Sequence, residues 1–274
     1  MPHRRTVFFV SDRTGITVEM LGSSLLTQFD TVEFRKQTLP FVDTLEKARS
    51  VVAQIEAARR ESNKRPLVFT SLMKDELRNE IATANAMVLD LFDSFIVPIE
   101  AELGVKSAHA VGRSHSAGNV RDYNKRIEAV NYTMAHDDGV TNRNLDEADI
   151  ILVGVSRSGK TPTCLYLALQ FGVKAANYPL IPEDLEKMRL PGVLLPLKHK
   201  VWGLTIVPER LQTIRQERKP DSKYASLANC QWEVKAAEQL MTSSGILFLN
   251  STTKSIEELA TFLLHEAQLD RRVY

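Results

Sequence analysis

Asp149-Ile150-Ile151-Leu152-Val153-Gly154-Val155-Ser156-Arg157-Ser158-Gly159-Lys160-Thr161-Pro162 fits G-x-x-x-x-G-K-[ST] without a mismatch. The apolar residues Ile150 to Val153 and Val155 lead into the glycine loop, and the apolar, helix-like run Cys164 to Phe171 leads out of it. That is the strand, loop and helix setting the pattern requires. A chain of this length would meet the bare pattern by chance about once in a hundred times, and the flanks lower that further. The residue types follow from the chemistry. Gly154 and Gly159 permit backbone angles that turn successive N–H groups inward around phosphate oxygens. Lys160 supplies a cation for the terminal phosphates, Thr161 a hydroxyl for Mg²⁺, and the following helix its positive end. Pro162 falls in that helix's first turn, where a missing N–H costs little. The plainer alternative is a glycine-rich turn beside a surface lysine.

Downstream, Gly172 is placed to cap the loop helix, and Val173 to Leu180 reads as a strand. His199 to Val207 reads as another, closing at Pro208. In Glu209 to Arg218 the arginines Arg210, Arg215 and Arg218 share one broad helical face. That suits a mobile phosphate clamp, or equally a solvated helix with Glu209 and Glu217 as partners. Gly245 to Leu249 forms a last strand, and Ser255 with Glu258 makes a capping box for the closing helix. The intervening turn, Asn250-Ser251-Thr252, is a candidate nucleotide-base site. Two absences limit the class. No apolar strand after the loop ends in an Asp, and no N-K-x-D reads guanine, so a GTPase or motor ATPase is disfavoured.

Upstream, Tyr123, Ile127, Val130 and Met134 recur at helical spacing and predict one buried stripe. That helix ends in Ala135-His136-Asp137-Asp138-Gly139. Adjacent acids in a turn are commonly solvated, yet these lie just before the strand that feeds the loop. An Asp there could deprotonate an acceptor hydroxyl or hold Mg²⁺. Ala108 to Asn119 is short of large apolar side chains and marks a domain boundary, giving an amino-terminal α/β domain over 1–110 and a phosphate-loop domain over 120–274. Its His109 and His115 are more simply linker residues than proton carriers.

In the first part, Val7 to Val10 predicts a strand, Val18 to Phe29 a helix, Val32 to Val42 an extended segment and Thr44 to Arg60 a helix. Pro66 to Ser71 predicts another strand, followed by helices over Lys74 to Thr83 and Ala84 to Leu103, the last bent near Pro98. Ser11-Asp12-Arg13-Thr14-Gly15-Ile16-Thr17, between the first strand and helix, is either an anion site or an ordinary turn. Strands alternating with helices imply an α/β fold with mainly parallel sheets.

The 274 residues carry 35 basic and 34 acidic side chains, a net +1, which argues against a broad nucleic-acid face. Two cysteines, Cys164 and Cys230, are too few for a disulfide framework and predict reduced, packed thiols in a cytoplasmic protein. No apolar run suffices to span a bilayer, and Val7 to Val10 is too short for a signal-peptide core. Neither low complexity nor an internal repeat is visible. No oligomeric state follows from the sequence, a homodimer being one candidate.

Taken together, Ser11 to Gly15, Ala135 to Gly139, Gly154 to Pro162, Lys174-Ala175-Ala176-Asn177-Tyr178-Pro179, Gly203-Leu204-Thr205-Ile206, Pro208-Glu209-Arg210-Leu211 and Asn250-Ser251-Thr252 resemble the phosphoenolpyruvate synthase regulatory proteins. These are relatives of the pyruvate, phosphate dikinase regulators. The resemblance runs in the same order from Val7 to Tyr274. It implies a bifunctional enzyme that phosphorylates a threonine of phosphoenolpyruvate synthase from ADP, switching it off. The same enzyme reverses the change with inorganic phosphate, releasing pyrophosphate. It further implies that Gly154, Val155, Ser156, Arg157, Ser158, Gly159, Lys160 and Thr161 bind ADP, that Lys160 supports transfer and that Asp138 is the acid/base, with Mg²⁺ expected. Val207 departs from relatives that carry an acid before the proline. Dikinase as the target, a small-molecule phosphate-loop kinase and a nucleotide-sensing module without chemistry are the alternatives.

Overall fold

The computed structural model describes residues 3–107, 120–141 and 143–270. Backbone contacts divide the chain into two compact units, Met1–Ser116 and Ala117–Tyr274. The expected boundary segment 108–119, with His109 and His115, lies outside the described residues.

In the first unit, β1 (His3–Val10), β2 (Val32–Leu39), β3 (Leu67–Thr70) and β4 (Met87–Asp90) form a parallel sheet in the order β2-β1-β3-β4. Helices α1 (Ile16–Leu26), α2 (Leu45–Ser62), α3 (Asp75–Ala82) and α4 (Leu91–Leu103) connect or follow the strands. Parallel strands covered on both faces read as unbroken apolar runs, and Val7-Phe8-Phe9-Val10 is buried throughout. Phe8 and Val10 pack with Ala48, Val51 and Ile55 of α2 and Leu77 and Ile81 of α3. Val7 and Phe9 pack with Val18 and Leu26 of α1, and Phe9 stacks on Phe69 at 5.6 Å.

One expectation fails here. The helix expected over Ala84 to Leu103 is a strand followed by a helix. Met87, Val88 and Leu89 pair in register with Leu67, Val68 and Phe69. The Asp90 carboxylate then accepts from the N–H groups of Phe92 and Asp93 at 3.0 Å, so the helix starts only there. A short apolar run carries no periodicity that separates strand from helix, and pairing with β3 decided it.

In the second unit, α5 (Val120–Ala135) precedes β5 (Ile150–Gly154), the strand that feeds the glycine loop. It is joined by β6 (Ala175–Pro179), β7 (Val201–Thr205) and β8 (Phe248–Asn250) in a parallel sheet ordered β6-β5-β7-β8. The helices that follow α5 are α6 (Lys160–Phe171), α7 (Pro182–Lys187), α8 (Pro208–Arg218), α9 (Leu227–Ser243) and α10 (Ile256–Glu266). Ile151 and Val153 face a core with Leu211, Val234, Leu240 and Met241, while Ile150 and Leu152 face Cys164, Leu167, Leu259 and Leu263. The Ser255 and Glu258 capping box of α10 is formed. Both cysteines are buried and free. Among the described residues no helix is long and apolar enough to cross a membrane.

A further expectation needs correction. Among the described side chains of α5 the buried ones are Ala129, Tyr132 and Thr133, with His136 buried just beyond it, whereas Ile127 and Met134 are exposed and Val130 is half-buried. The side chain of Tyr123 lies outside the described part. Polar groups with partners inside displaced the apolar stripe: Tyr132 donates to the Asn144 carbonyl at 3.0 Å, and Thr133 accepts from the Ala175 N–H at 3.2 Å. Helix α9 was not anticipated. Half of its buried face is small, with Cys230, Ala236 and Ala237 beside Val234, Leu240 and Met241, which gives a weak periodic signal.

Both sheets share one order: central first strand, second strand on one side, third and fourth on the other. This is the doubly wound pattern in which ligands bind beyond the carboxyl ends of the strands, where the order reverses. After each first strand comes a similar loop. Arg13-Thr14-Gly15-Ile16-Thr17 matches Arg157-Ser158-Gly159-Lys160-Thr161 in type, except that Ile16 stands in place of Lys160. Gly15 and Gly159 both cap a helix with positive φ, 78° and 94°.

Candidate active site

The loop from Gly154 to Thr161 leaves the carboxyl end of β5, whose residues are all buried between β6 and β7. Gly154 is required by closeness: a Cβ there would sit 2.2 Å from the Leu204 carbonyl oxygen of β7. Asp138, Ser156, Arg157, Gly159, Lys160, Thr161 and Pro162 line a cavity of ≈ 190 Å³. The backbone N–H groups of Ser156, Arg157 and Gly159 donate to no other group among the described residues. The Ser158 hydroxyl is buried without a partner among the described residues.

Lys160 is almost wholly buried, and its Nζ donates to the Val155 carbonyl at 2.8 Å. Burial lowers its pKa to about 8, against the upward pull of the Asp138 and Asp137 charges. Cys164, one turn along α6, has its thiol pushed well above the ordinary range by burial and stays protonated.

The two acids of the 136–139 turn come to the loop through β6. The Asn177 N–H donates to the His136 carbonyl at 2.9 Å, and the Gly139 N–H donates to the Asn177 carbonyl at 3.2 Å, stitching the turn to the edge of the sheet. His136 anchors the turn from inside, its ring nitrogens 2.8 Å and 2.7 Å from the carbonyl oxygens of Tyr132 and Arg143. Thr161 Oγ1 donates to Asp137 Oδ1 at 2.8 Å. The Asn177 side-chain amide donates to Asp137 at 2.7 Å, Asp138 at 3.1 Å and the Thr161 hydroxyl at 2.9 Å. Asp138 itself adopts φ 50°, a left-handed conformation tolerated by Asp better than by most residues.

The structure therefore brings Asp138, Lys160, Thr161 and the rest of the loop together. Of the two adjacent acids it makes Asp137 the partner of Thr161, and it adds Asn177, to which the sequence assigns no role. The signal for Asn177 was present: a lone amide in the buried strand Ala175-Ala176-Asn177-Tyr178-Pro179, where Asn is disfavoured without a partner. The absence of an acid at the end of β7 holds, since that strand closes on Thr205, which donates to Glu238 of α9 at 2.6 Å. Asn250-Ser251-Thr252 lies beside the loop: Ser251 Oγ donates to the Thr205 carbonyl at 3.1 Å, and a Cβ on Gly159 would stand 3.9 Å from that of Ser251. The arginine clamp is not seen for Arg215, which is fully buried and paired with Glu233 rather than with Glu209 or Glu217. Arg210 and Arg218 are exposed.

Residues 7–264 match the kinase/pyrophosphorylase family. The chain belongs to that family. Over 273 residues it is 55% identical to a protein of Laribacter hongkongensis, covering 99% of this chain and 100% of that one. It is 53% identical over 271 residues to one of Herminiimonas arsenicoxydans, covering 99% and 96%. A third, from Burkholderia ambifaria, is 55% identical over 269 residues, covering 98% and 99%. Each is named, provisionally, a phosphoenolpyruvate synthase regulatory protein.

Proposed function

We propose that this protein regulates phosphoenolpyruvate synthase by moving a phosphoryl group between ADP, a threonine of the synthase and inorganic phosphate. The observation that carries the reading is the Asp137, Asp138, Asn177 and Thr161 cluster set directly against a phosphate loop. A loop alone would serve any nucleotide binder. A carboxylate lining the same cavity as Lys160 supplies what a transferase needs in addition, a base at the acceptor.

The residues fit a diphosphate. The Ser158 hydroxyl is buried without a partner among the described residues, and Lys160 and the start of α6 add positive charge. Ser251 beside Gly159 puts the 250–252 turn in reach of the nucleoside. Thr161 Oγ1 and Asp137 would hold Mg²⁺, a hydroxyl and a carboxylate that together with phosphate oxygens suit its octahedral shell. When bound, the ion would neutralise charge on the diphosphate.

In the forward direction the target threonine oxygen attacks the β-phosphorus of ADP. Asp138 takes the hydroxyl proton, and the bond to the bridging oxygen breaks to release AMP. Lys160 and the loop N–H groups hold the charge on the equatorial oxygens. In reverse, a phosphate oxygen attacks the phosphothreonine phosphorus, pyrophosphate forms, and the departing threonine oxygen takes its proton from Asp138. One anion cradle serves both, because in each direction the transferred group passes between the same loop and the same carboxylate.

The test is to mix the protein with β-labelled ADP and phosphoenolpyruvate synthase and to map the label. Label on a synthase threonine is expected. No label with any nucleoside diphosphate would refute the reading, and label on a small molecule alone would favour a metabolite kinase.

A further inference from the structure

A guanidinium removed from water must find partners for its charge and its donors. Arg215 of α8 does so around the 154–161 loop through its two Nη groups, while its buried Nε has no partner among the described residues. Its Nη2 donates to the Ser156 carbonyl at 3.1 Å and to Glu233 of α9 at 2.6 Å, and its Nη1 donates to the Tyr224 carbonyl at 3.1 Å. The guanidinium also lies 4.0 Å over the Tyr224 ring. The Tyr224 hydroxyl in turn meets Ser156 Oγ at 3.1 Å, and Asn229 steadies Glu233 with a hydrogen bond of 2.7 Å. Ser156 is thus gripped at both its carbonyl and its hydroxyl by groups outside the loop.

In a trans peptide the carbonyl and the next N–H point to opposite sides. Holding the Ser156 carbonyl toward Arg215 therefore aims the Arg157 N–H away from it, and Arg157 lines the phosphate cavity. This orientation leaves Arg157 at φ 76°, in the left-handed region that a side chain of its kind disfavours. Turning the peptide over would return Arg157 to ordinary angles and withdraw the N–H. A charge-assisted bond to the carbonyl opposes that relaxation.

We propose that Arg215, braced by Glu233 and Tyr224, is a positioning residue for phosphate binding that locks the Ser156–Arg157 peptide with the Arg157 N–H presented to the diphosphate. The proposal rests on the loop being the ADP site. Arg215 touches no substrate in this scheme, although its positive charge lies near enough to Lys160 to count among the influences on that amine.

The test is calorimetric titration of ADP and, separately, of pyrophosphate into the wild type and the Tyr224→Phe, Arg215→Lys and Arg215→Met variants, with thermal melting of each. Tyr224→Phe removes only the contact to the Ser156 hydroxyl and should weaken both ligands about threefold with little change in melting. Arg215→Met should weaken both about tenfold or more, by the same factor for each because the brace acts on the phosphates, and Arg215→Lys should recover part of the loss. In turnover assays the Arg215→Met loss should fall on the ADP KM rather than on kcat. Should Arg215→Met fail to fold, Tyr224→Phe and Arg215→Lys decide by the same comparison. Folded variants that melt lower yet bind both ligands like the wild type would overturn the positioning role alone. A wild type that binds neither ligand would overturn it together with the ADP reading.

Discussion

At Lys160 the site's electrostatics reduce to one group. Burial holds its pKa near 8, below the ordinary 10.5, so across that window the unfolded chain binds a proton that the folded chain lacks. Stability of the free protein should therefore rise with pH between those values and be least below them. Lys160→Met removes the penalty: at neutral pH the urea midpoint should rise, by up to about 3 kcal/mol of stability, while ADP binding is lost. Phosphate oxygens beside the amine favour its charged form. Binding at about pH 9 should accordingly take up a proton, seen as a dependence of the calorimetric heat on buffer ionisation. Asp138→Asn should leave ADP affinity nearly intact and cut transfer at least about a hundredfold. Asn177→Leu, which strips Asp137 and Asp138 of their shared donor, should impair ADP binding as well as transfer. Lys160, Thr161 and Asp138 were legible because the first two belong to a spaced pattern and the third lies just upstream of its strand. Asn177 was not, since its role exists only once β6 pairs with β5, setting Asn177 against Leu152, and the 136–139 turn docks on its edge.

Among the elements, those with strong local signals came through: β1, α2, β5, α6 and α10 all follow from apolar runs, caps or the loop pattern. Elements decided by pairing or by small side chains did not. β4 is a strand because Met87 to Leu89 line up with β3, and α9 hides its face in alanines and a cysteine. Asp90, the residue at which strand becomes helix, gives a check. Asp90→Ala removes the acceptor for the Phe92 and Asp93 N–H groups and should lower stability by about 1 kcal/mol in urea unfolding. A change within error would mean that α4 does not depend on that cap. At the start of the phosphate loop, Gly154→Ala should be worse, because its Cβ would press into the Leu204 carbonyl from a φ of 147°. Loss of more than about 2 kcal/mol, with poor ADP binding, is expected from that clash.

For the molecule as a whole, the near-neutral charge and two free, buried cysteines set broad limits, and the loop pattern set the fold class. What no repeat in the sequence disclosed is that both units use one strand order with related loops, only the second of which carries the lysine. Core burial on both sheet faces is a demand that many sequences satisfy, whereas a buried lysine needs a specific reason, which the proposed phosphate ligand supplies. In the proposed function, one cradle passes the same phosphoryl group in both directions. The most direct measurement follows the label of β-labelled ADP onto the synthase and then, after inorganic phosphate is added, into solution. Labelled phosphothreonine should appear first and labelled pyrophosphate second, with both steps lost in Asp138→Asn. Label released as inorganic phosphate, or a second step untouched by Asp138→Asn, would contradict it.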